Sequence, residues 1–265
     1  MRVVLVDLLC NSPFFCSAMT KALADAGVDA ELASPRFHLE PAYLDDVPRS
    51  SWIHDLVVHA RRPRLLRLAV RAIEGPLNFA GLLARIRAHR FEVVHVQWVP
   101  IEGRNSPFMR ILRSWCDRAG TLLVFTAHNA SPHDRAGAVA DGFRRDLDAA
   151  HLVVTHTEHV ARALSTEIGT NSPITVVPHG PLFTDQALPA RAEAAARMGR
   201  PDTPTVLFQG LLRGYKGLDL LADAWPTVTE AVPAATLLVV GKVADQAVSD
   251  SEEHGNLNGA VDKHW

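Results

Sequence analysis

Short apolar runs recur along this chain, separated by segments of helical period, and that alternation leaves few folds open. Met1–Val6, Asp29–Ala33, Phe91–Gln97, Thr121–Thr126, Leu152–Thr155 and Ile174–Val177 read as strands. Between them, Ser17–Ala26 reads as a helix stopped by Gly27, and Leu82, Leu83 and Ile86 mark one face of another. Pro107–Ala119 follows with Ser106 as a possible cap and Gly120 as its stop, then Glu158–Glu167. Strands joined by helical crossovers build a parallel sheet, so residues 1–180 are predicted to form a doubly wound, Rossmann-type α/β domain.

The pattern then lapses and restarts. Residues 181–203, rich in Ala, Pro, Arg and Thr, read as a linker. Residues 204–242 begin a second α/β unit: strand Thr205–Phe208, loop Gly210–Gly217, helix Leu218–Val232 interrupted near Pro226, and strand Ala235–Val240. Residues 243–265 form an irregular polar tail. The fold expected is therefore α/β with an incomplete second Rossmann-type domain. With 265 residues, 48% hydrophobic and 21% charged, the chain can bury real cores. Its 27 basic and 29 acidic side chains remove the electrostatic basis of a dedicated nucleic-acid binder. No apolar run approaches the roughly 20 residues of a membrane helix, and no leader is evident, so a cytoplasmic location is expected. Cys10, Cys16 and Cys116 are too few and too irregular for a disulfide framework or a thiolate zinc site, and read as reduced, mostly buried side chains.

The sharpest chemical signal is FQGLLRGYKG, residues 208–217, between a strand and a helix. Gly210 permits a tight exit from the strand. Arg213 and Lys216 place two cations near a helix N-terminus, an arrangement that suits a diphosphate or, equally, a solvated loop. Lys216 is one of only four lysines, with Lys21, Lys242 and Lys263.

Together with VHVQW (94–98), VFTAHNASPHD (124–134), VVTHTEH (153–159) and VVPHG (176–180), this block makes the chain resemble the family 4 glycosyltransferases. That resemblance implies a GT-B-like fold of two Rossmann-like domains. It implies transfer of a hexose, with retention of configuration, from a nucleoside-diphosphate sugar to a saccharide or lipid-linked acceptor, without metal or other cofactor. His128, Arg213 and Lys216 would be catalytic. Gly210, Arg213, Lys216, His179 and Gly180 would bind the donor, and Asn11, Ser12, Asn129, His133 and Asp134 would line the acceptor side. Structural readings stand beside these: His128-Asn129 as a loop cap, His133-Asp134 as a helix cap, His179-Gly180 as a turn. The loop Leu8–Phe15 lacks the family's glycine pair, and its Pro13, Phe14 and Phe15 read as packing. The family's loop with two glutamates has no counterpart: after Lys216 only Glu230, Glu252 and Glu253 occur. The alternative is thus an inactive, truncated homologue that binds a saccharide or a protein partner.

Two further features stand apart. His151, His156 and His159 suggest a metal hydrolase, but no His-Glu-x-x-His pattern accompanies them. A Ser-His-Asp hydrolase and a nicotinamide dehydrogenase lack their glycine motifs altogether. In residues 57–71, Arg61, Arg62, Arg64, Arg67 and Arg71 alternate with apolar residues, a stretch that could dock peripherally on an anionic membrane or lie as an ordinary surface helix.

Overall fold

A computed structural model describes residues 1–37, 40–56, 64–100, 107–129, 138–182 and 187–241. It divides into two compact units, Met1–Thr184 and Asp185–Trp265. The first contains β1 (Arg2–Val6), α1 (Pro13–Asp25), β2 (Asp29–Ala33), α2 (Arg64–Arg87), β3 (Val93–Val96), α3 (Phe108–Ala119), β4 (Leu122–Thr126), α4 (Ala138–Asp148), β5 (Leu152–Thr155), α5 (Glu158–Ala163) and β6 (Ile174–Val176). All six strands run parallel in the order β2-β1-β3-β4-β5-β6.

Alternate residues of each strand supply two cores. Val4 and Val6 of β1 face the larger one, with Val94, Val96, Leu82, Ile86, Met109, Leu112, Phe125 and Phe143. Val3 and Leu5 face the other, with Cys16, Leu32 and Leu44. Covering on both faces explains why β1 and β4 are nearly continuous apolar runs rather than alternating patterns. Cys16 and Cys116 are buried and Cys10 is half-buried, all three as free thiols.

The helices depart from expectation at identifiable places. Helix α1 starts at Pro13 rather than Ser17, with proline in the first turn where its missing N–H costs nothing. This puts Phe14 and Phe15 on the helix. Helix α2 runs unbroken for 24 residues through Gly75 and Pro76. Its Gly81 admits the Trp52 ring, which a Cβ there would meet at 2.8 Å. The expected helix Glu158–Glu167 is α5 followed by a π turn, Leu164–Ile168, that Gly169 stops at φ 72°.

The second unit holds α6 (Arg191–Arg197), β7 (Thr205–Gln209), α7 (Leu218–Ala231) and β8 (Thr236–Val240), with β7 and β8 paired in parallel. Helix α7 packs Leu218, Leu221 and Trp225 against Leu237, Val239, Phe208 and Leu212. The interruption expected near Pro226 is absent, since α7 continues through it. A single proline removes one backbone donor, and the apolar face on either side holds the helix together.

Candidate functional site

In the first unit the chain passes from β1 to β2 on one side of the sheet and then to β3 on the other. That reversal opens a crevice beyond the carboxyl ends of β1 and β3, where open α/β sheets take their ligands. Asp7, fully buried at the end of β1, shapes the loop here. Its carboxylate accepts hydrogen bonds from the backbone N–H of Asn11 at 3.1 Å and Ser12 at 2.9 Å. Burial pushes the Asp7 pKa up, and these two donors pull against it. Ser12 then accepts a 2.6 Å hydrogen bond from Trp98 Nε1, which spans the crevice from the loop after β3.

Trp98 adjoins a group of rings at this end of the sheet. The His128 ring, two residues beyond β4, stacks on the indole at 4.8 Å with only 7° between planes. Phe15 from the first turn of α1 stands 5.1 Å from His128, 5.2 Å from His156 and 5.0 Å from His179. His156 follows β5 and His179 follows β6; His156 lies 5.2 Å from His128 and 5.3 Å from His179. Four successive strand ends thus deliver three imidazoles around one phenyl ring and an indole stacked on the first of them.

Burial, and then the neighbouring His156 and His179, lower the His128 pKa to about 4, so its ring is neutral near pH 7. The Gln97 backbone beside the ring pulls the other way. In His156, Nδ1 lies 3.0 Å from the Val177 carbonyl oxygen and must carry the ring proton, because a carbonyl only accepts. His179 Nδ1 bonds the Gly180 carbonyl at 2.8 Å in the same sense. The Nε2 atoms of His128 and His156 are buried without a hydrogen-bond partner. An unmet buried polar atom costs about 1–3 kcal/mol, which marks the pair as unusual.

Described by itself, the second unit carries the cationic loop. Gly210 leaves β7 at φ 125°, and a Cβ on it would stand 3.2 Å from Lys216 Nζ. The Lys216 ammonium therefore lies against the Gly210 backbone. Arg213, Gly214 and Lys216 enter a 3₁₀ turn, and Gly217 at φ 74° caps α7 without a side chain, leaving first-turn N–H groups open to an anion. Gly241, just past β8, is packed so closely that a Cβ would fall 1.7 Å from the Gly210 carbonyl oxygen.

The model of the family described as Glycosyltransferase Family 4 matches residues 15–180, from the Phe15 turn through His179-Gly180. The chain belongs to glycosyltransferase family 4. Among its relatives is spore coat protein SA of Bacillus subtilis (strain 168), 22% identical over 195 residues, 68% of this chain and 48% of that protein. Anabaena HepE in complex with UDP superposes with a TM-score of 0.63 at 17% identity, over 97% of this chain and 65% of that one. Sucrose-phosphate synthase from Thermosynechococcus elongatus gives 0.61 at 15% identity, over 99% and 71%. The likeness to the two solved structures shows the GT-B fold; the chain spans about half the length of its curated relative and about two thirds of HepE.

For this family 4 member, the structure gathers Ser12, His128 and His179 at one sheet edge, with Asn11 in the Asp7-held loop and Asn129 and Gly180 beside their histidines. Gly210, Arg213 and Lys216 share the loop after β7. His133 and Asp134 lie outside the described residues, as do 57–63 of the basic stretch and the tail 243–265. The histidine trio weighed for a metal is otherwise engaged: His151 Nε2 hydrogen-bonds Asp117 at 2.8 Å, His156 Nδ1 bonds the Val177 carbonyl, and His159 is exposed on α5. Among the described residues no cluster of three His, Cys, Asp or Glu suits a metal ion. Phe15, Trp98 and His156 were visible in sequence only as packing, motif and metal candidate. Asp7 and Gly241 gave no signal at all, because their roles depend on partners brought near by the sheet.

Proposed function

We propose that this chain is a hexosyltransferase that uses a nucleoside-diphosphate sugar, with Arg213 and Lys216 taking the diphosphate and His128 orienting the sugar. The observation that carries the reading is the family match through residues 15–180, whose histidine after β4 stands at the crevice edge. The bond between the anomeric carbon and the diphosphate oxygen breaks, and one from that carbon to the acceptor hydroxyl forms on the same face. The acceptor proton passes to the departing phosphate, so configuration is retained. Lys216 and Arg213 stabilise the charge that this oxygen gains, most strongly as the bond breaks. UDP in the HepE complex makes a uridine donor the first to test. The acceptor is a saccharide or a lipid-linked saccharide.

Incubation with a panel of nucleoside-diphosphate sugars, read by nucleotide release, tests this. Lys216→Ala is expected to reduce release by about 100-fold or more with the fold intact, in line with loss of one transition-state charge contact. Undiminished release in that variant would remove Lys216 from the reaction.

A further inference from the structure

Helix α2 turns a face to solvent that carries nothing polar. Its inner side is fully buried at Asn78, Leu82 and Ile86. On the outer side Leu66, Ile73 and Leu77 stand 48%, 59% and 46% exposed, and Ala69, Ala80 and Ala84 are exposed in line with them. Steps of three, four and seven residues set these six on one stripe. Every exposed side chain described between Leu66 and Ala84 is apolar. The stripe runs for about 27 Å of helix. A surface helix ordinarily places its charges on this side, and packing within the first unit leaves the stripe uncovered.

Positive charge surrounds it. Arg87, three residues past Ala84, and Arg90 are exposed at its carboxyl end. Helix α3 packs beside α2, with the Phe79 and Phe108 rings 4.7 Å apart, and carries Arg110 on its exposed side. Among the described residues none of these three guanidinium groups has an ion-pair partner. The acids of the two helices are withdrawn: Glu74 is buried, and Asp117 is bound by Arg113 and His151. Arg71 turns inward, lining a small recess with Cys10 and Glu74, so this surface lies further along the chain than the arginine stretch 57–71.

We propose that this face of α2 and α3 docks on an anionic lipid bilayer, with α2 lying along the interface. Its apolar stripe enters the boundary between headgroups and acyl chains to a depth of about 5–10 Å. Arg87, Arg90 and Arg110 then stand among the lipid phosphates, an attraction that salt screens. Charge decides the occupant. A second copy seated here would set arginine against arginine, and a stripe about 27 Å long and about 10 Å wide falls short of the roughly 800 Å² per partner of a stable interface. A bilayer with negative headgroups matches both the apolar stripe and its cationic surround. The surface stands apart from the hexosyltransferase reading and needs none of its residues.

The experiment mixes the full chain with vesicles of phosphatidylcholine alone, or of phosphatidylcholine with phosphatidylglycerol, and reads the bound fraction by flotation. Binding is expected on the anionic vesicles alone and should fall as sodium chloride is raised. Ile73→Glu combined with Leu77→Glu should weaken it by about tenfold or more at an unchanged unfolding midpoint, since both side chains are exposed. Arg110→Glu should weaken it by about fivefold or more. Ala80→Leu, which enlarges the stripe without touching the buried side of α2, should strengthen it. No binding to anionic vesicles at low salt, equal binding to neutral ones, or full binding by the Ile73→Glu, Leu77→Glu variant would overturn the proposal. A dimer in sedimentation velocity that this variant dissociates, with no vesicle binding, would assign the stripe to a second copy and overturn it as well.

Discussion

His95 shows how one buried residue ties the stability of this fold to pH. It is 6% exposed in β3, with Nε2 2.7 Å from Thr126 Oγ1. Burial, and then His128 and His156, lower its pKa from 6.5 to about 4. Between those values the unfolded chain binds a proton that the folded chain refuses. The stability that neutral His95 supplies is therefore complete above pH 6.5 and lost as pH falls towards 4, about 3 kcal/mol in all. His128 adds to the same slope. Asp7 acts oppositely: its pKa is raised above 3.8, so ionising it costs stability as pH rises past that value. Urea midpoints measured from pH 7 to 4 should fall steeply, and His95→Gln, which keeps a hydrogen bond to Thr126 but does not titrate, should flatten the fall. Equal slopes in the two proteins would contradict this origin.

Among the elements, the join between β7 and β8 carries the tightest constraint. Gly210 donates its N–H to the Val240 carbonyl at 2.9 Å, and Gly241 passes directly over the Gly210 carbonyl. The obstacle to a side chain at Gly241 is backbone, which cannot rotate away. Gly241→Ala is expected to cost about 4 kcal/mol or more and to break the end of this pair. Gly81→Ala meets only the Trp52 ring and should cost about 1–3 kcal/mol. Thermal unfolding of both variants measures the difference; similar losses would refute it. Most strands of the first unit were legible as runs of apolar residues between helical periods, as in Arg2–Val6 and Leu122–Thr126, whereas β2 carries Asp29 and Glu31. Helix α1 was misplaced by four residues because Pro13-Phe14-Phe15 carries no helical period of its own, only a proline whose role depends on the turn it opens. The ring cluster was legible only in pieces. His128 and His179 stand in recognisable blocks, but the meeting of Trp98, His128, His156 and His179 follows from parallel strand order, which no local spacing encodes.

Across the whole chain, the two units differ in how much core they own. Both apolar clusters of the six-stranded sheet lie within Met1–Thr184, whereas the buried cluster of the second unit comprises Leu212, Leu218, Leu237 and Val239 among the described residues. Residues 1–184 alone should unfold cooperatively in urea, because both apolar clusters of the six-stranded sheet lie within them. Circular dichroism of that piece decides the matter, and a gradual loss of signal without a transition would overturn it. The imidazole rings and the cationic loop are built on these separate cores. On the proposed function, such a chain would inherit its two surfaces independently: exchange of the second unit by recombination would change the donor it accepts while the histidine crevice of the first is passed on unaltered.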